Sequence, residues 1–217
     1  HIEQDEPFNI YDPSAGWGGR ILGAMSSMKR IHYIGTDPNT DNFIPELDKT
    51  RYEYVADFFN EHGLETNPFW EEPKNTYHVF QEGSEHIGEH PDFQQYKGKL
   101  DFAFTSPPYF NVERYSYDDT QSWVKYKEID EWNENFLQKT LKNLWCSVKS
   151  GGYLLVNISD VYSSSKSSKS WLEICNPMNN FLSTFTDSEY QGCIGMELAK
   201  RPNSGGAGTA KSEDYTK

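Results

Sequence analysis

Apolar residues recur along this chain with two alternating periods. Short runs at Phe8-Asn9-Ile10-Tyr11, Ile31 to Thr36, Tyr77 to Phe80, Leu100 to Phe104 and Tyr153 to Ile158 read as strands. Between them, apolar residues spaced by three and four mark helices over 20–28, 41–62 and 128–148. Gly63 is placed to end the second. The third is the most regular. Ile129, Trp132, Phe136, Leu137, Leu141, Leu144, Trp145 and Val148 form one stripe, acids lead it, lysines close it, and Gly151-Gly152 are placed to stop it. A short helix or turn over 90–96, a helix over 171–185 interrupted near Pro177, and a sixth strand over 193–199 complete the pattern. Strands alternating with helices predict an α/β fold, a mostly parallel sheet with helices on both faces.

Four stretches lack a period. Residues 64–75 are polar and contain Pro68 and Pro73, which makes them a loop. Residues 110–124, rich in Tyr, Asp and Ser, read as a mobile loop over the edge of the sheet where the strands end. Residues 161–170 read as a flexible serine-lysine loop leaving that same edge. The tail over 201–217 is rich in glycine and serine.

Composition narrows the class. A chain of 217 residues suits one sizeable α/β domain over 1–217, and 6 Trp, 14 Tyr and 13 Phe supply a core. No apolar run approaches the roughly 20 residues of a membrane span. The acidic, polar start shows no secretory pattern. Cys146, Cys175 and Cys193 are odd in number and lack metal-ligand spacing, as in a cytoplasmic protein with reduced thiols. The chain begins close to its first strand, so upstream sequence is expected. Net charge is −13, with 27 acidic and 14 basic residues in 1–160, an awkward balance for contact with phosphates.

Candidate chemistry gathers at strand ends. Asp12-Pro13-Ser14-Ala15-Gly16-Trp17-Gly18-Gly19 is a glycine turn between the first strand and the first helix, a nucleotide-binding start. The dinucleotide fingerprint fails at its last glycine, where Ile21 stands. Taken singly, Asp12 and Asp37 each read as a turn or helix cap; taken with the glycines, a carboxylate before the turn, Asp12, suits a ligand with a free ammonium group. Asp37, about 20 residues after the turn and at the tip of the second strand, is placed to accept hydrogen bonds from both hydroxyls of a ribose. Gln81 to Glu85, Ser84 among them, end the third strand on the same edge and could contact an adenine. At Thr105-Ser106-Pro107-Pro108-Tyr109 two prolines stiffen the backbone where the fourth strand leaves the sheet.

With these residues the chain resembles the S-adenosylmethionine-dependent amino DNA methyltransferases, in a phage-like form. The cytosine-N4 branch is closer than the adenine-N6 branch because Ser106 stands before Pro-Pro-Tyr. The resemblance covers most of 8–160. It implies a Rossmann-like class I methyltransferase fold, S-adenosyl-L-methionine as cofactor, and a restriction-modification setting. Asp12, Pro13, Ala15, Gly16, Trp17, Gly18, Asp37, Pro38, Ser84 and Thr105 would hold the cofactor. Thr105, Ser106, Pro107, Pro108 and Tyr109 would be catalytic: Ser106 and the Pro107 carbonyl draw the target amine towards sp³ geometry, and Tyr109 stacks on the base. No metal is required. The partner would be DNA with a flipped or single-stranded base, touched by Phe110, Arg114, Lys166 and Lys169. No separate target-recognition segment of the usual length stands between Asp37 and Thr105, so the sequence would be chosen either by the loops 110–124 and 161–170 or by a partner or missing domain. The alternatives are adenine-N6 methylation, methylation of an RNA or protein amide, a nicotinamide-dependent oxidoreductase, and a non-catalytic cofactor-binding scaffold.

Overall fold

Strand β1 (Phe8–Asp12) sits at the middle of the sheet, and the rest of the fold is built outward from it. The structure is a computed structural model that describes residues 6–27, 29–39, 42–66, 75–165 and 168–195. After β1 come helix α1 (Gly19–Met25), β2 (Ile31–Thr36), a small ribbon of β3 (Phe43–Ile44) and β4 (Lys49–Thr50), and α2 (Arg51–Thr66). Then follow β5 (Thr76–Phe80), a 3₁₀ turn over Pro91–Tyr96, β6 (Leu100–Thr105) and the short α3 (Ser122–Lys125). One long helix comes next, in three contiguous parts: α4 (Ile129–Trp132), a π-turn segment (Asn133–Gln138) and α5 (Lys139–Ser147). Strand β7 (Val148–Val156), the hairpin β8 (Val161–Ser165) with β9 (Ser168–Leu172), and α6 (Cys175–Leu182) complete it.

The main sheet has the order β5-β2-β1-β6-β7, and every pairing in it is parallel. Both faces are covered, as a parallel sheet requires. On one face Ile10, Tyr33, Tyr77 and Val79 pack with Ile21, Met25 and Ala56 of α1 and α2. On the other, Tyr11, Ile34 and Phe80 meet Phe93, Trp132, Leu137, Leu141 and Leu144. Side chains alternate between faces along each strand, so β1 sends Ile10 to one core and Tyr11 to the other. This is the Rossmann-like α/β fold that the alternating pattern predicts.

Several boundaries differ from the sequence pattern. The apolar stripe over 41–62 predicts a helix from Asp41, whereas α2 starts only at Arg51; Pro45 lies in a 3₁₀ turn between β3 and β4. Gly63 does not end α2, which runs on to Thr66. Gly151-Gly152 do not stop the long helix. Val148 already adopts extended backbone, and both glycines lie inside β7, where the register of β6 and β7 shifts between Leu100 and Phe102. The serine-lysine stretch pairs as an antiparallel hairpin, with Tyr162 opposite Trp171. The helix expected over 171–185 is confined to α6 and carries Pro177 in its first turn, where a missing N–H costs nothing. By backbone contacts the chain divides into the units His1–Phe185 and Thr186–Lys217. Residues 193–195 carry no strand, and the remainder of the expected sixth strand lies outside the described residues. No described helix is long and apolar enough to cross a membrane.

Candidate ligand site at the switch point of the sheet

Chain order reverses direction between β1 and β6: β2 and β5 extend the sheet on one side, β7 on the other. At such a switch point, connections leave in opposite directions and a crevice opens at the carboxyl ends of the strands. A cavity of about 300 Å³ occupies it. Its walls come from four strand ends: Ala15 and Gly16 after β1, Asp37 after β2, Ser84 and Glu85 after β5, and Ser106 and Pro108 after β6. The segment after Pro108 roofs it through Glu113, Tyr115 and Thr120.

The glycine turn is shaped for close approach. Gly16 and Gly18 have φ of 54° and 81°, a left-handed conformation that side chains rarely adopt. The turn is fixed by the strand next door. The Gly16 amide donates to Asp37 Oδ2 at 2.7 Å, and the Asn39 amide donates to Oδ1 at 2.8 Å. Burial holds the Asp37 carboxyl above its ordinary value, with the Asn39 and Gly16 amides and the Tyr52 hydroxyl pulling the other way. A carboxylate oxygen offers two acceptor positions, so Asp37 keeps lone pairs for a ligand.

Asp12 behaves differently. It is 1% exposed and is fully engaged by the protein. Arg20 Nε donates to Oδ2 at 2.6 Å, the Tyr33 hydroxyl to the same oxygen at 2.7 Å, and the Ser14 amide to Oδ1 at 3.1 Å. Burial works against the Arg20 charge, and the Asp12 carboxylate more than offsets it, so the guanidinium is held above its ordinary value. Arg20 also bonds the Ser14 carbonyl and lines the cavity, where Asp12 does not. The charge that would meet an ammonium group is therefore already neutralised from within.

The roof is tied down at its C-terminal end. Thr120 Oγ1 donates to the Pro38 carbonyl at 3.3 Å, and Lys125 Nζ pairs at 3.1 Å with the buried Glu85. Tyr115 meets Trp17 edge-on at 6.4 Å and donates to Glu113; burial and that carboxylate push its hydroxyl up to about 12. The stretch expected as a loop without period is thus a wall of the cavity.

No protein-family model and no curated protein matches the chain. Solved structures do. One is described as a short-chain alcohol dehydrogenase from Burkholderia multivorans, 13% identical, covering 83% of this chain and 76% of its own, with a TM-score of 0.47. Another is a short-chain dehydrogenase from Oenococcus oeni, 10% identical, covering 83% and 72%, also with a TM-score of 0.47. Neither is a methyltransferase. That corrects the expectation from sequence of a methyltransferase acting on DNA with S-adenosylmethionine in a restriction-modification setting. At these identities the likeness to the two dehydrogenases is one of fold and gives this chain no reaction.

The structure brings together only part of the expected residue set. Pro13, Ala15, Gly16, Trp17, Asp37, Pro38, Ser84, Ser106 and Pro108 line the cavity. Gly18 caps α1 from below, and Thr105, Pro107 and Tyr109 stand behind the wall. The Tyr109 hydroxyl donates to the Asn157 carbonyl at 3.4 Å, and its half-buried ring packs partly against the core. Ser84 Oγ is engaged by Thr140 Oγ1 at 2.8 Å. Phe110 is buried against Trp132, and the exposed Arg114 lies over the Trp123 ring. The side chains of Lys166 and Lys169 lie outside the described residues. Arg20, Asn42 and Tyr52 are site residues that no local motif marks.

Proposed function

We propose that residues 6–185 form a module that binds an adenosine-containing ligand, its ribose held by Asp37. The observation that supports this is the placement of the Asp37 carboxylate. It is fixed by two backbone amides at the tip of β2, on the wall of a cavity that spans four strand ends at the switch point. Two ribose hydroxyls present two donors at the spacing of one carboxylate, and the glycine turn lets the rest of the ligand lie against backbone. About 300 Å³ lies at the lower end of ligand pockets, a fit for a nucleoside-sized group. Ser106 and Pro108 form the wall that a second group would meet.

Calorimetric titration with adenosine and with NAD tests it. Adenosine binding that is strongly weakened in Asp37→Asn is the expected result. Binding of NAD with much higher affinity than adenosine would extend the ligand to a dinucleotide held by the same ribose contact. Failure of both ligands to bind would overturn the proposal.

A further inference from the structure

Tyr52 stands in the first turn of α2, 36 residues from the glycine turn, and yet its hydroxyl donates to the Gly16 carbonyl at 2.6 Å. The other side of the same residue, the Gly16 amide, donates to Asp37 Oδ2 at 2.7 Å. Asn42 closes the loop. Its Nδ2 donates to the Tyr52 hydroxyl at 2.9 Å and approaches Asp37 Oδ1 at 3.5 Å. Each group uses its own chemistry once: the phenol donates one proton and accepts one, the Gly16 peptide accepts at its oxygen and donates at its nitrogen. The result is a closed ring of Asp37, Gly16, Tyr52 and Asn42.

From this ring, and resting on the reading of Asp37 as the ribose acceptor, we infer that Tyr52 is a positioning residue that holds the glycine turn against Asp37 in ligand-accepting geometry. Packing alone would need no hydroxyl. The Tyr52 ring already fills the space under Gly18, where an added Cβ would lie 3.7 Å from it, and phenylalanine would fill the same space. What the hydroxyl adds is a hydrogen bond to the one peptide whose N–H fixes the carboxylate. The titratable groups that act on Asp37 are Asp12 from β1 and Tyr52 from α2, with Arg20 from α1 acting in turn on both Asp12 and Tyr52. With its one proton on the Gly16 carbonyl, Tyr52 acts on Asp37 through the Gly16 amide, which lowers the carboxyl, while Asp12 raises it. Loss of the hydroxyl therefore moves the Asp37 titration upward, and a residue that only packed would leave it in place.

The test is the carboxyl carbon titration of Asp37 by nuclear magnetic resonance in the ligand-free protein and in Tyr52→Phe, followed by adenosine titration of both. An upward move of the Asp37 midpoint in Tyr52→Phe is expected, with adenosine affinity lowered about tenfold. An unchanged midpoint overturns the inference, whatever the ligand result. If the parent protein binds no adenosine, the ribose reading falls, while the midpoint still decides whether Tyr52 acts on Asp37. If Tyr52→Phe does not fold, the readout is hydrogen exchange of the Gly16 amide in Asn42→Ala: faster exchange is expected, because the loosened phenol no longer holds the Gly16 peptide, and unchanged exchange overturns the inference.

Discussion

The Gly16 amide reaches Asp37 Oδ2 at 2.7 Å across 21 residues of chain, so the turn after β1 and the tip of β2 are one structural unit. That bond has a pH consequence. Burial lifts the Asp37 carboxyl above its ordinary value, and only the ionised form accepts from two hydroxyls at once. Adenosine affinity is therefore expected to be full above the raised midpoint and to fall as pH drops through it. In Asp37→Asn one oxygen becomes an NH₂ that faces the amide donors of Gly16 or Asn39. Calorimetry from pH 4 to 8 should show weak binding and no acid limb in this variant; an acid limb that persists would place the titrating group elsewhere.

Arg20 is expected to matter for stability before it matters for any ligand. Asp12 is 1% exposed, and Arg20 is the cation that offsets it. Arg20→Met leaves a buried carboxylate with hydroxyl and amide donors and no counter-charge. Breaking one side of a buried pair costs about 3–5 kcal/mol. Urea unfolding at pH 7 reads it directly. A loss below 1 kcal/mol would mean that the Tyr33 and Ser14 donors hold Asp12 without help.

Two imidazoles share one phenol on the far side of β2 and β5. The Tyr96 hydroxyl lies 3.2 Å from His32 Nε2 and 3.1 Å from His78 Nδ1. While both rings are neutral, the phenol can donate to one and accept from the other. Once both are protonated, both rings can only donate. Burial lowers the pKa of each, with His78 adding to the effect on His32, and His90 to that on His78 against Asp92. A histidine lowered in the folded state takes up its proton first on unfolding. Stability is therefore complete above the ordinary value of about 6.5 and declines as pH falls below it towards the lowered values. Thermal unfolding at pH 5 and 7.5 should show the loss, and His32→Gln should shrink the difference. An equal difference in the variant would remove His32 from the account.

How much of this was legible depended on distance along the chain. The glycine turn and Asp37 stand in a short local pattern, and their roles follow from strand, turn, helix and strand in order. Tyr52 acts on Gly16 from 36 residues away, and only the packing of α2 beneath the turn brings its hydroxyl there. Arg20 looks like any polar residue of a first helical turn until its reach back to Asp12 is seen. The Gly151-Gly152 pair carries the usual helix-stop signal, yet Gly152 serves strand pairing. A Cβ there would lie 2.9 Å from the carbonyl oxygens of Leu100 and Asp101, so glycine is what lets β7 approach β6 at the register shift. The 161–170 stretch hid its hairpin because serine gives no alternation to read.

Thr105 ends β6 one residue before the cavity wall. It is fully buried, and its Oγ1 has no hydrogen-bond partner among the described residues. An unpaired buried hydroxyl is a cost, and valine has nearly the same shape without it. Thr105→Val is expected to stabilise the protein by about 1 kcal/mol in urea unfolding. The same variant then weighs the hydroxyl's use. If a ligand at Ser106 draws on that hydroxyl, adenosine affinity or the affinity for a second ligand falls as stability rises, an opposite movement that no packing defect would give. If stability falls instead, the hydroxyl is satisfied by a group the fold itself supplies. Measuring unfolding and ligand titration on one preparation of the variant separates these outcomes.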